Sequence, residues 1–110
     1  MLIFVLIANH FWGTHMFKYD YNQENQILTL SGNLDASKAE ELKEILERID
    51  NTVTVDMSSL TFISSVGIGV LVMTYRNLKE RGYDIYLTNL NDHIRKVFSL
   101  SFLDKVFIIK

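Results

Sequence analysis

The chain has 110 residues, a formal net charge of −2 and no cysteine. This length fits one domain with one modest core and argues against a catalytic cleft between two domains. The lack of cysteine excludes disulfides, thiol nucleophiles and cysteine-ligated zinc, while the slightly acidic balance argues against nucleic-acid binding. A hydrophobic fraction of 48% is typical of a globular chain and not of a disordered one.

Residues 1–15 differ in pattern from the rest of the chain. They begin with the apolar run MLIFVLIA, which is too short to cross a bilayer as a helix and lacks the positive residues of a signal peptide. We interpret residues 1–15 as a non-native extension or one upstream of the true start, and place the domain at residues 16–110. The alternative is an extra strand that pairs with a sheet edge or with a second copy, which leaves the protein a monomer or a weak dimer.

The first half of the domain predicts a hairpin followed by a helix. Residues 17–21 alternate between apolar and polar, as a half-buried strand does, and residues 27–30 form a second strand that ends at Ser31 and Gly32. Asp35 is a good N-cap for the helix that follows. The apolar stripe of this helix comprises Ala36, Ala39, Leu42, Ile45, Leu46 and Ile49.

The second half predicts two further strand and helix pairs. Residues 52–55 form a strand that ends at Asp56, residues 57–63 form a connector, and a helix runs from Ser64 and Ser65 to about residue 81. Gly82 suits a left-handed residue after that helix. Residues 83–87 form a fourth strand, Asn91 caps a third helix, and residues 103–109 form a closing strand or an extended tail. Helices that alternate with short strands predict an α/β domain with a parallel or mixed sheet.

Motifs for metal binding and catalysis are missing from the sequence. His10, His15 and His93 show no HxxxH spacing, which argues against a metal site. Serines are present, but none lies in a G-x-S-x-G turn. Gly67 and Gly69 lack the third glycine of a dinucleotide fingerprint and fall inside a predicted helix. We therefore expect no enzymatic activity and no cofactor.

Residues 56–71 carry the most information about function. A strand is followed there by a helix that begins at two adjacent serines, where unpaired N–H groups and the positive end of the helix dipole tolerate a phosphate. Either hydroxyl could also simply cap the helix. Gly67 and Gly69 leave the first turns without bulk, so another protein could approach the backbone closely.

This stretch resembles the signature of bacterial STAS domains, in particular of anti-sigma-factor antagonists. The matching residues are Asp56-Met57-Ser58, the aromatic Phe62, and SSVGIGVL at residues 64–71. Two further segments are similar to the family: LSGNLD at residues 30–35 and LSFLDKVF at residues 100–107. The resemblance covers residues 17–109. It implies a single-domain STAS-like fold, with a mixed β-sheet of four to five strands and three to four helices packed mainly on one face.

The resemblance also implies roles for individual residues. The family's phosphoacceptor position falls on Ser65, and Ser64 is the second choice because it stands where the family often has aspartate. Asp56 and Ser58 are expected to have structural roles, and Asp35 and the two serines could act only as helix caps. The implied partner-binding residues are Asp35, Ser64, Ser65, Val66, Gly67, Ile68 and Gly69.

The function implied is that of a cytoplasmic partner-switching protein in transcription regulation. The unphosphorylated protein would bind an anti-sigma factor or a serine kinase of the histidine-kinase-like ATPase type, phosphorylation of the serine would release it, and a phosphatase would reset it. The alternative is a constitutive STAS regulatory subunit of a lipid or anion transport system. A small enzyme or nucleotide-binding protein is a third reading, which only the two glycines favour. Neither nucleic-acid binding nor membrane insertion is expected.

Overall fold

The computed structural model describes residues 16–110, so the interpretation of residues 1–15 concerns a part of the chain outside this description. The domain contains five strands, three α-helices and two 3₁₀ turns. In chain order these are β1 Lys18–Asn22, β2 Ile27–Leu34, a 3₁₀ turn Ala36–Lys38, α1 Ala39–Glu47, β3 Val53–Ile63, α2 Ser65–Glu80, β4 Ile85–Thr88, α3 Asp92–Leu100, a 3₁₀ turn Leu103–Lys105 and β5 Ile108–Ile109.

The five strands form one mixed sheet in the order β1-β2-β3-β4-β5. β1 pairs antiparallel with β2 through a tight turn, whereas the three other pairings are parallel. Parallel neighbours cannot be joined by a hairpin, so α1, α2 and α3 serve as the crossover connections. This arrangement confirms the predicted α/β fold with a mixed sheet.

The hydrophobic core lies between one face of the sheet and the helices. Along β2 the buried leucines alternate with half-buried residues on the opposite face, as expected for a strand covered on one side. The helices contribute their apolar stripes to the same core, which confirms the prediction that they pack mainly on one face. Their fully or almost fully buried side chains include Leu42 and Leu46 of α1, Leu71 and Leu78 of α2, and Ile94 and Phe98 of α3.

The prediction of a connector at residues 57–63 was wrong, because β3 continues to Ile63. Between the pairs Thr29↔Asp56 and Ser31↔Ser59, β2 advances by two residues and β3 by three, so β3 carries an extra residue. A second shift follows beside Gly32. Such bulges interrupt the alternation of buried and exposed residues, which is the pattern by which a strand is recognised in a sequence.

Three other segments also differ from the prediction. β2 does not stop at Gly32 but continues to Leu34. Within the strand, Gly32 adopts a φ of +83°. Asp35 caps a 3₁₀ turn, and α1 begins only at Ala39. Residues 103–109 divide into a 3₁₀ turn and a two-residue strand.

The predicted end of α2 and start of α3 are confirmed. Gly82 has a φ of +83°, which a glycine adopts without a steric penalty. The Asn91 side chain caps α3 by accepting a hydrogen bond from the Ile94 N–H at 2.8 Å, and it donates one to the Leu60 carbonyl at 2.9 Å. Asn91 therefore ties the start of α3 to the extended part of β3. None of the helices in residues 16–110 is long and apolar enough to cross a membrane.

Candidate functional site

The site predicted from the sequence lies where β3 ends and α2 begins. Ser64 has an extended backbone and is the N-cap of α2, and its hydroxyl accepts a hydrogen bond from the Gly67 N–H at 3.1 Å. Its carbonyl accepts the first helical hydrogen bond, from the Ile68 N–H at 2.9 Å. The Ser64 side chain is thus committed to holding the helix start.

Ser65 is the first residue of α2 and is exposed. Its neighbour Ser64 already performs the capping, so the Ser65 hydroxyl is not needed for that purpose. The first turn of α2 contains no acidic residue. The unpaired N–H groups and the positive dipole end of this turn would therefore favour a negative group on Ser65.

The two serines are expected to respond differently to truncation. Ser64→Ala removes a helix cap and should lower the free energy of unfolding by about 1 kcal/mol. Ser65→Ala removes an exposed hydroxyl and should change it by less than about 0.5 kcal/mol. Urea denaturation of both variants beside the wild type measures this difference, and an equal effect of the two substitutions would contradict the assignment of Ser64 as the cap.

The corner between β2 and α1 lies beside this helix start. The Ser64 N–H donates to the Leu34 carbonyl at 2.9 Å, and Leu34 pairs with Ile63 in the sheet. The chain continues from Leu34 directly into Asp35. Asp35 and the two serines are therefore brought to the same edge of the sheet, although Ser64 and Ser65 follow Asp35 by 29 and 30 positions in the sequence.

Asp35 is a half-buried, charged group at this edge. Its carboxylate accepts hydrogen bonds from the Ser37 hydroxyl at 2.6 Å and from the Ser37 N–H at 3.0 Å. The hydrogen bond from the Ser37 hydroxyl is the main reason why the pKa of Asp35 lies below its ordinary value. Asp35 is thus ionised at neutral pH and presents a negative charge beside the start of α2.

The two glycines of the segment have different surroundings. Gly67 is buried, and a Cβ atom there would lie 3.0 Å from Leu34 Cγ and 3.2 Å from Ile63 Cγ1. Its lack of a side chain lets α2 pack closely on the corner that carries Asp35. Gly69 is exposed, and a Cβ atom there would have no neighbour within 4 Å. Of the other residues in the predicted partner surface, Val66 is 51% exposed and Ile68 is half-buried.

Asp56 and Ser58 lie away from this edge, at the first bulge of β3. The Asp56 carboxylate accepts hydrogen bonds from the Ser58 N–H at 3.0 Å and from the Asn89 side chain at 3.1 Å. It thereby satisfies an N–H at the bulge and links β3 to the loop after β4. Burial raises the pKa of Asp56, but the hydrogen bonds from Ser58 and Asn89 outweigh this effect and the pKa lies below its ordinary value.

The low pKa of Asp56 predicts a specific loss of stability in acid. The carboxylate contributes stability above its unfolded pKa of about 3.9, and this contribution is lost as the pH falls through the lower pKa of the folded state. Thermal unfolding between pH 7 and pH 2.5 should therefore show a smaller acid-induced decrease for Asp56→Asn than for the wild type. Identical pH profiles for the two proteins would contradict this role.

Two residues, Asn89 and Met73, were not singled out in the sequence analysis. Asn89 contacts Asp56 from a loop after β4, and no local pattern indicates such a contact between distant segments. Met73 lies on α2 and is 56% exposed. Its spacing of seven residues from Val66 places both on one helix face and could have drawn attention to it. Within residues 16–110, no group of three or more His, Asp or Glu residues could hold a metal ion.

Comparison with known proteins gives matches over most of the chain. The family model described as "Mlab, STAS domain" matches residues 17–110. The anti-sigma-B factor antagonist of Listeria monocytogenes is 27% identical over 85 residues, which cover 74% of this chain and 75% of the relative.

Solved structures match in fold. An anti-sigma factor antagonist from Mycobacterium paratuberculosis aligns with a TM-score of 0.71 and 21% identity, covering 86% of this chain and 83% of the other. The Bacillus cell fate determinant SpoIIAA in its phosphorylated form aligns with a TM-score of 0.65 and 20% identity, covering 86% and 91%. The same protein in its unphosphorylated form aligns equally well, with a TM-score of 0.65.

Proposed function

Because the chain belongs to the STAS domain family, and its curated relatives are named anti-sigma factor antagonists, we propose that it acts as a phosphorylatable anti-sigma-factor antagonist. In this role the unphosphorylated protein binds an anti-sigma factor or a serine kinase of the histidine-kinase-like ATPase type in the cytoplasm. Phosphorylation of Ser65 releases that partner, and a phosphatase restores binding. The protein itself performs no chemical turnover.

The observation that carries this proposal is that the two serines have different structural roles. Ser64 caps α2 through its hydroxyl, whereas Ser65 is exposed at the first helical position. A kinase can reach the Ser65 hydroxyl without disturbing the helix cap, and a phosphate there faces the positive end of the helix dipole. The phosphorylated and unphosphorylated forms of SpoIIAA, which share this fold, are consistent with such a switch.

The release step follows from charge. A phosphoserine carries about −1.5 to −2 charges at neutral pH. Asp35 already presents a negative charge at the same edge, so a partner that binds both residues would have to cover two like charges. A charge left without a counterion in an interface costs several kcal/mol, which is enough to dissociate the complex.

The proposal is tested by mapping the phosphorylation of the protein in its own host. Intact mass and phosphopeptide analysis of growing and stressed cells should show a phosphate on Ser65 that changes with condition and is missing from a Ser65→Ala copy. A phosphate on Ser64 would retain the switch but assign it to the other serine. The absence of any phosphate under all conditions, with a partner bound throughout, would favour the constitutive transport-system subunit instead.

A further inference from the structure

Neither packing nor backbone conformation within the domain requires a glycine at position 69. It lies within α2, where glycine makes a helix less stable than alanine does. A Cβ atom at this position would meet nothing within 4 Å, and its φ is not in the left-handed region. The glycine at Gly67 is explained by close packing on Leu34, but no contact within residues 16–110 explains the one at Gly69.

Two exposed apolar side chains flank Gly69 on the same face of α2. Val66, three residues before it, is 51% exposed, and Met73, four residues after it, is 56% exposed. Residues at these spacings are neighbours on a helix surface. The three residues therefore form an apolar strip with a gap in its middle, which we call the α2 notch. Ser65 is four residues before Gly69 and borders the notch.

The size of the notch indicates what can occupy it. It spans two turns of helix, about 11 Å, and ends where α2 becomes polar at Arg76 and Asn77. Two exposed side chains provide far less than the roughly 800 Å² per partner that a stable protein interface needs. The notch is therefore too small to sustain a dimer of this chain by itself and suits a part of a larger interface.

The neighbouring surface supplies the rest of that interface. Ser65, which the proposed function assigns to partner binding, lies one helical turn before Gly69 on the same side of α2 and is therefore continuous with the notch. A glycine between two larger residues lets a second helix approach closely and place a large side chain into the gap. Exposed methionine adapts well to such a contact because its side chain is flexible and polarizable.

We propose that the partner bound at Ser65 also lays an amphipathic helix across α2, inserting one large aliphatic or aromatic side chain over Gly69 between Val66 and Met73. This inference rests on the proposed function and adds the chemistry of the partner's docking element. The partner then recognises two features, an uncharged Ser65 and the apolar gap beside it. Only the first of these is removed by phosphorylation.

Binding and stability should respond in opposite directions to substitutions at Gly69. Gly69→Ala should raise the Tm by about 4 °C, because alanine favours the helix and its Cβ meets nothing. The same change should weaken binding several-fold. Gly69→Leu fills the gap and should weaken binding of the purified anti-sigma factor of the same host by about 10-fold or more, and Met73→Ala should have a similar effect. Lys96→Leu, which adds the same side chain at an exposed position of α3, is the matched control and should bind like the wild type.

Measuring Ser65→Asp in the same calorimetric titrations separates this inference from the proposed function. Loss of binding in Ser65→Asp with wild-type affinity in Gly69→Leu would overturn the helix-docking inference and leave the switch intact. If the wild type does not bind the anti-sigma factor at all, both fail. A concentration-dependent dimer in sedimentation that Gly69→Leu dissolves would also overturn the inference, because the notch would then bind a second copy.

Discussion

Ser65→Asp is expected to weaken binding of the anti-sigma-factor partner by about 100-fold or more, equivalent to about 2.7 kcal/mol. The aspartate adds a permanent charge at an exposed position that the proposed partner would cover, beside the charge of Asp35. A buried charge without a counterion typically costs more than this amount. The free protein should not be destabilised, because an anion in the first turn of a helix is favourable by about 0.3–1 kcal/mol.

The measurement is isothermal titration of the partner, with thermal unfolding of each variant as the control for folding. Ser65→Ala is the matched variant and should retain an affinity close to that of the wild type, since it removes only a hydroxyl. Ser64→Asp should affect partner affinity differently from Ser65→Asp. Ser64 is the helix cap, and aspartate at that position can take over the capping hydrogen bond. Equal binding by Ser65→Asp and the wild type would exclude charge at this position as the release mechanism.

Gly67→Val is expected to destabilise the domain by about 2–3 kcal/mol. A Cβ atom at Gly67 already lies 3.0 Å from Leu34 Cγ, and the two methyl groups of valine would press further into Leu34 and Ile63. These two residues are themselves buried, so they have little room to move. The expected decrease in Tm is about 10 °C or more. Because Leu34 precedes Asp35, the strain should also displace the corner that carries this residue.

Gly69→Val is the matched control for this substitution. It places the same side chain in the same helix two residues further on, where a Cβ meets nothing within 4 Å. Valine and glycine differ little in helix propensity, so the free energy of unfolding should change by less than about 0.5 kcal/mol. Denaturation of the two variants in urea provides the comparison. Similar stabilities would show that α2 does not pack on Leu34 as closely as described.

The signals that were correctly interpreted in the sequence are local ones. The cap at Asn91, the left-handed Gly82 and the apolar stripe of α1 from Ala39 onward each depend on residues within a few positions of one another. Ala36, which was predicted to belong to that stripe, is instead exposed in the preceding 3₁₀ turn. The start of α2 at the two serines was also predicted, because a hydroxyl side chain before an apolar run is a common N-terminal signal. These features are encoded by backbone preferences that act over a single turn.

The errors lie in β2 and β3, where the structure depends on pairing between distant segments. Residues 57–63 contain three polar residues, and their apolar and polar residues do not alternate. They form a strand only because they pair with β2, with two register shifts along the pairing. β2 in turn extends past Gly32 because β3 offers Leu60, Phe62 and Ile63 as partners. The full length of neither strand could have been predicted without knowing which segment pairs with it.

The sequence by itself thus determined the order of the elements, the family resemblance and the two candidate serines. Only the tertiary structure decided which serine is the cap, since that depends on whether the Ser64 or the Ser65 oxygen meets the Gly67 N–H. It also decided that Asp35 lies beside the start of α2, and that Gly67 serves the core while Gly69 faces solvent. The reason is physical: the two glycines are the same residue type in the same helix, and what distinguishes them is the packing of distant side chains against one face of that helix.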